Sequence, residues 1–172
     1  MPSPTPRPPK VYFFSTCLVD LAAPQAGIDA ITLMRDAGIA VDFPKAQSCC
    51  GQPAFTSGYT EEARRVARMQ LDLFPEPWPI VVPSGSCAGM IVHEWPRLFA
   101  DDPALSARVA GIVPRVVEWS FFARDVLGLA PPAGVAPKAV KVALHTSCAA
   151  RREMGSHVPG EALLRALPGV EL

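Results

Sequence analysis

Charged side chains are scarce and evenly matched: 16 lysines and arginines stand against 16 aspartates and glutamates in 172 residues. There is no basic stripe and no polybasic run, which argues against nucleic acid and against a membrane surface as partners. An apolar run of spanning length is also missing. The opening MPSPTPRPPK is proline-rich and carries no apolar stretch before Val11. It reads as a disordered lead over residues 1–9, neither an export signal nor a spanning helix. The expected compartment is therefore the reducing cytoplasm. Cysteines there number only five, and in that compartment grouped cysteines point to metal or redox chemistry more often than to structural disulfides. No GxGxxG follows any expected strand, which leaves a dinucleotide site as the weakest reading.

What is present is a regular alternation. VYFFS at 11–15 is a β-branched and aromatic run of the kind buried in parallel sheets, and it stops at Thr16 and Cys17. Residues 25–37 place Ala30, Ile31, Met34 and Ala37 on one helical face, with Gly38 suited to the cap. Residues 39–43 read as a second strand, followed by a loop containing QSCCGQPAF. Thr60 is the expected N-cap of the next helix, with Glu61 and Glu62 in its first turn, an apolar face of Ala63, Val66 and Leu73, and Arg64, Arg65 and Arg68 turned outward. Ile80 to Val82 is a third strand leading to Cys87.

Helical character is expected in MIVHEW and ADDPALSARVAG, a fourth strand over Val113–Glu118, and a helix in WSFFARDVLGL. PPAGVAPK is a linker. Lys138–His145 is expected as a last strand ending near Cys148, and GEALLRALPGV as a final helix. The fold class is thus α/β, a parallel sheet with helices on both faces in three layers. Ligands of such sheets bind beyond the carboxyl ends of the strands, where all five cysteines are expected to gather.

Two passages match. KVYFFSTC (10–17) and KVALHTSC (141–148) share their ending, and Gly38 and Gly169 each lie 21 positions after the cysteine. The chain reads as one unit begun twice: a first over residues 10–137 and the start of a second over 138–172. In that register the counterpart of Cys49 falls at position 180, so the second unit stops short of its own cysteine pair.

Four thiolates at 17, 49, 50 and 87 match the demand of an iron–sulfur cluster, usually held by four cysteines. Adjacent Cys49 and Cys50 suit structural zinc less well, since that ion takes cysteines two to four residues apart. Both can serve one centre only if the loop bends, and Gly51 and Pro53 favour a bend. Cys17, CCG at 49–51 and Cys87, together with CCGQPAFTSGY, PSGSCAGMI and HTSC, resemble the CCG or cysteine-rich domain. That domain occurs in the cysteine-rich component of heterodisulfide reductase, in the iron–sulfur component of glycolate oxidase and in lactate utilization protein A, and the likeness is greatest to the lactate utilization branch. It covers nearly the whole chain from Lys10 onward.

The resemblance implies that Cys17, Cys49, Cys50 and Cys87 bind a [4Fe-4S] cluster, cubane or non-cubane, which is oxygen-sensitive enough to be lost on purification in air. It implies that Cys148 opens a second site. It further implies an electron-transfer subunit working with the other subunits of a complex that oxidises L-lactate to pyruvate. Two departures stand out: Met90 occupies the place where the family pattern often has its last cysteine, and Ala149 follows Cys148 where relatives often carry histidine. Other readings stay open for the same residues, namely buried inert cysteines, a zinc-stabilised assembly module, and thiol redox chemistry without metal. His145 reads as a hydrogen-bonded structural residue, His93 and His157 carry no signal, and Trp78, Trp95 and Trp119 read as core or interface anchors. Arg151 and Arg152 read as a solvated face. No residue of the chain stands out as a base for a hydroxy acid.

Overall fold

The computed structural model describes residues 6–131 and 139–172. Residues 1–5 of the expected lead and nearly all of PPAGVAPK lie outside the described residues. Arg7 donates to the carbonyls of Val126 and Leu127, and the Pro9 carbonyl accepts from the Ala40 amide.

Four parallel strands form the sheet: β1 (Lys10–Phe13), β2 (Ala40–Asp42), β3 (Ile80–Val82) and β4 (Val116–Glu118), in the order β2-β1-β3-β4. Side chains alternate across a strand, and β1 uses both faces. Val11 and Phe13 pack with Met34, Ile39, Val81 and Phe122 on one side, while Tyr12 and Phe14 pack with Ile80, Val82, Ala67 and Trp95 on the other. Both faces are buried, so the continuous apolar run VYFF is what a central parallel strand requires. The three-layer α/β expectation holds.

The first helical layer holds α1 (Cys17–Ala22) and α2 (Pro24–Asp36), which buries Gly27, Ala30 and Met34. The opposite layer holds α3 (Gln52–Thr56), α4 (Thr60–Gln70), α5 (Gly85–Gly89), α6 (Trp95–Leu98) and α7 (Pro103–Ile112). A π-helical turn at Met90–Glu94 joins α5 to α6. Then α8 (Trp119–Phe121) runs on into a π-helical stretch, Phe122–Leu127, that returns to the first layer.

Several local expectations are corrected. Thr60 is the first helical residue and Tyr59 takes the cap position without a side-chain bond. Arg64 is only half outward, because it pairs with Asp101 and lies over the Phe99 ring. The fourth strand begins at Val116: Val113–Arg115 is a 3-10 turn, since Pro114 fixes its φ and has no N–H for a ladder.

The largest correction concerns the expected strand over residues 138–145. Among the described residues only β5 (Val140–Lys141) is paired, in parallel with β6 (Val170–Glu171), apart from the main sheet. Val140 and Leu144 remain 47% and 40% exposed. A half-exposed run with one two-residue partner has no second neighbour among the described residues to extend its ladder. The last helix, α9 (His157–Ala166), ends before Leu167, and Val170 belongs to β6. No helix among the described residues is long and apolar enough to cross a membrane.

Candidate functional site

Strand order reverses between β1 and β3, and at such a point the loops beyond the strand ends splay to leave a crevice. Cys17 and Cys87 follow these two strands, and the doublet follows β2. Each segment is fixed separately. After β1, Thr16 is fully buried and holds φ 63°, the one non-glycine positive φ among the described residues. Its hydroxyl accepts from the Val19 amide at 3.3 Å, so the turn that presents Cys17 is also the cap of α1.

Side-chain amides pin the loop before the doublet. Gln47 accepts from the Ser15 amide at 3.0 Å and donates to the Phe13 carbonyl at 3.1 Å, continuing the edge of β1. Gln70 is wholly buried; it accepts from the Ser48 amide at 3.0 Å and donates to the Ser48 hydroxyl at 2.8 Å. The indole of Trp95 donates to the Cys50 carbonyl at 3.0 Å. Gly51 then turns the chain at φ 93°, where an added Cβ would lie 3.0 Å from the Ala63 carbonyl oxygen. The bend needed for both sulfurs to face one place is present, and glycine is what permits it. After β3, Ser84 caps α5 and accepts from the Cys87 amide at 3.4 Å.

The result is a run of thiols in contact. Cys17 Sγ lies 3.4 Å from Cys49 Sγ, the Gly51 amide donates to Cys49 Sγ at 3.4 Å, and Cys50 and Cys87 stand close enough for the thiols to perturb one another. Protons divide unequally along it. The hydrogen bond from Cys50, with the Gly51 amide and Cys17 adding to it, lowers the Cys49 thiol to about 5. Cys87 is lowered chiefly by Cys50, with Ser84 and Thr16 also donating. Cys50 is pushed up by its bonds to Cys49 and Cys87, and burial together with Cys49 raises Cys17 to about 11. Cys49 and Cys87 are thus the more acidic thiols, and Cys17 and Cys50 hold their protons more tightly. Thiolates are the nucleophilic and metal-binding form of cysteine, and four soft donors at one place suit iron–sulfur chemistry. Among the described residues no three His, Cys, Asp or Glu side chains converge as a preformed cage for a single ion. The quartet is a chain of sulfur contacts.

Cys148 does not join that chain. It is exposed and precedes a π-helical turn at Ala149–Glu153. Its neighbour Ser147 nevertheless lies with its hydroxyl 2.7 Å from that of Ser86, the residue before Cys87. An added Cβ on Gly85 would lie 2.6 Å from Ala150 Cβ, so the two segments meet where there is no room for a side chain. Met90 is buried in the core beside Trp95 and Ile91, as packing. Arg151 and Arg152 are exposed.

Gln47, Gln70 and Thr16 were not legible as site residues. Gln70 alone left a signal: it stands at the helical spacing of the buried Ala63 and Ala67, a polar residue where the period demands an apolar one.

A family model described as "Cysteine-rich domain", CCG, matches residues 11–92. The chain is 38% identical over 164 residues to "Lactate utilization protein A 1" of Bacillus mycoides, covering 95% of this chain and 66% of the relative. It is 39% identical over 164 residues to "Lactate utilization protein A" of Macrococcus caseolyticus, covering 95% and 65%. To "Lactate utilization protein A 1" of Bacillus cereus it is 35% identical over 170 residues, covering 94% and 70%. The chain spans about two thirds of the length of the curated relatives it matches. No solved structure matches it significantly.

Proposed function

The chain belongs to the lactate utilization protein A family, and from that premise we propose that it binds an iron–sulfur cluster through Cys17, Cys49, Cys50 and Cys87 and carries electrons in a lactate-oxidising complex. The observation that carries this reading is that cysteines from three strand ends are gathered at one edge of the sheet, with Cys17 and Cys49 in sulfur contact and the Cys49 and Cys87 thiols lowered by their neighbours. When bound, a [4Fe-4S] cluster supplies one-electron redox chemistry. The chain's own residues hold and tune the sulfurs: hydrogen bonds to ligand sulfur govern potential and orientation, and Gly51, Ser84 and Thr16 supply them here.

Residues 10–137 are read as a first cysteine-rich unit and 138–172 as the opening of a second, with Cys148 as its first ligand. The partners are other subunits of the complex, in the cytoplasm. Support for the second unit is geometric. Shifted by the spacing of Cys17 and Cys148, the Lys10–Ala40 register of β1 and β2 becomes the Lys141–Glu171 register of β5 and β6. The Thr16 cap on the Val19 amide likewise becomes the Ser147 cap on the Ala150 amide, at 3.1 Å.

The test is anaerobic reconstitution with iron and sulfide, read by metal analysis and visible absorbance. Near-equal iron and sulfide with a broad visible band is expected, lost for the most part in Cys50→Ser and retained in Cys148→Ser. One zinc per chain without colour, or full iron binding by Cys50→Ser, would overturn the reading in favour of an assembly module or another site.

A further inference from the structure

A second opening lies beyond the carboxyl ends of β3 and β4. It is a cleft of about 320 Å³, walled by residues 83–86, by the end of β4 and by the segment that precedes and includes the start of α9. That volume is at the lower end of the range for small-molecule pockets, and the position is where parallel sheets bind ligands. Ser86 is in the wall and Cys87 follows it, so the cleft adjoins the sulfur site through the first turn of α5.

Its chemistry is specific. Among the described residues no lysine or arginine lines it. The one acid among the described residues of the wall is Glu118, only 6% exposed, whose carboxylate accepts from the Ser120 amide at 2.8 Å and the Ser120 hydroxyl at 3.3 Å. Burial pushes it up to about 6. Two imidazoles, His145 and His157, share the wall. The Nδ1 atom of His157 is buried and has no hydrogen-bond partner among the described residues. Leu18, Pro83 and Leu144 provide apolar surface, and the Ser86 and Ser147 hydroxyls, bonded to each other, a further polar point.

These groups discriminate by charge. A carboxylate or phosphate entering the cleft would lose water without gaining a fixed cation, and would meet Glu118 as a second anion; an unpaired charge is costly to desolvate. An uncharged carbonyl carries no such cost. Its oxygen can accept from a wall imidazole or hydroxyl, and an attached ring covers the leucines.

We propose that this cleft is a binding site for a small uncharged carbonyl compound bearing an apolar ring, selected against carboxylates. The site uses none of the cysteines, although its wall shares Ser84 with the sulfur site and flanks Cys148, and it is measured on metal-free protein. It also implies that a 2-hydroxy or 2-oxo acid is not the occupant here.

The experiment uses 2-naphthamide and 2-naphthoate, a pair sharing one ring system and differing in charge, titrated at pH 7.5 by heteronuclear NMR with thermal unfolding as a check on fold. Saturable binding of the amide at residues of the cleft is expected, about tenfold tighter than the naphthoate. His157→Phe and Glu118→Gln should each weaken the amide, the first about tenfold, while Cys50→Ser leaves it unchanged. Leu144 is partly exposed, so Leu144→Arg should fold and should shift the preference towards the naphthoate by supplying the missing cation. Absence of saturable amide binding, equal affinity for both probes, or indifference to both His157→Phe and Leu144→Arg would overturn the proposal. Loss of the reconstituted cluster with amide binding intact would strike only the iron–sulfur reading.

Discussion

KVYFFSTC and KVALHTSC begin the same way and fold to very different depths. In the first, β1 lies between β2 and β3, and Val11, Tyr12, Phe13 and Phe14 are all buried. In the second, β5 has β6 as its partner over two residues, and Val140 and Leu144 stay largely in water. The local apparatus is shared nonetheless. A hydroxyl caps the turn after each strand, and a glycine 21 residues after each cysteine takes left-handed backbone, φ 83° at Gly38 and 80° at Gly169. A lysine at each strand also pairs with an acid on the neighbour, Lys10 with Asp42 at 3.1 Å and Lys141 with Glu171 at 3.6 Å. Turns, caps and register are therefore local properties of the sequence, while strand length and burial are set by how many neighbours the sheet provides.

The sharpest way to break this comparison is to truncate one side chain in each passage. Phe13→Ala removes a ring packed among Val11, Met34, Val81 and Phe122, and should cost about 3–5 kcal/mol. Leu144→Ala, at a half-exposed position, should stay within about 0.5 kcal/mol. Denaturant unfolding of both variants decides it, and similar losses would mean that the second passage is as well buried as the first.

An intermediate effect is expected where the two passages touch. In Gly85→Ala the new methyl would lie 2.6 Å from Ala150 Cβ and 2.8 Å from the Ser156 hydroxyl, a clash with backbone close behind. A cost of about 1–3 kcal/mol is expected, accompanied by faster amide exchange in Ala149–Glu153 and in α9 while β1 remains protected. Unchanged exchange there would show that the contact between the passages is loose.

The smallest effect is a pH dependence. Burial raises Glu118 from 4.5 to about 6, so the folded state holds that proton more tightly than the unfolded one. Its stabilising contribution is complete below about 4.5 and is lost as pH rises through about 6. Relative to Glu118→Gln, which does not titrate, the native protein should lose up to about 2 kcal/mol across that window and then level off. His145 and His157 line the same cleft and are common to both proteins, so the difference isolates the carboxyl. Equal stability differences at pH 4.5 and pH 7 would refute the assignment.

Much of the fold was legible because buried parallel strands write themselves as short apolar runs, and the segments that follow three of those runs carry the cysteines. The bend at Gly51 was legible too, since glycine takes left-handed backbone without a Cβ penalty. The supports were not. Gln47 and Gln70 act through amides that meet their partners across 32 and 22 residues, and nothing local marks such a long-range bond. The strand over 138–145 was read too long because, among the described residues, only β6 pairs with it, over two residues. Proline at 114 shortened β4 for a reason visible beforehand, the missing amide hydrogen.

Gly85 and Gly89 lie against Ala149 and Ala150, with Glu153 Oε2 standing 2.6 Å from where a Gly89 Cβ would be. Two backbones that close have no independent evolutionary future: a methylene gained on one helix must be surrendered on the other. These positions should drift through descendants only as coupled exchanges, and a lineage that enlarges either face alone should also show the helix carrying Cys148 swung away from the one carrying Cys87.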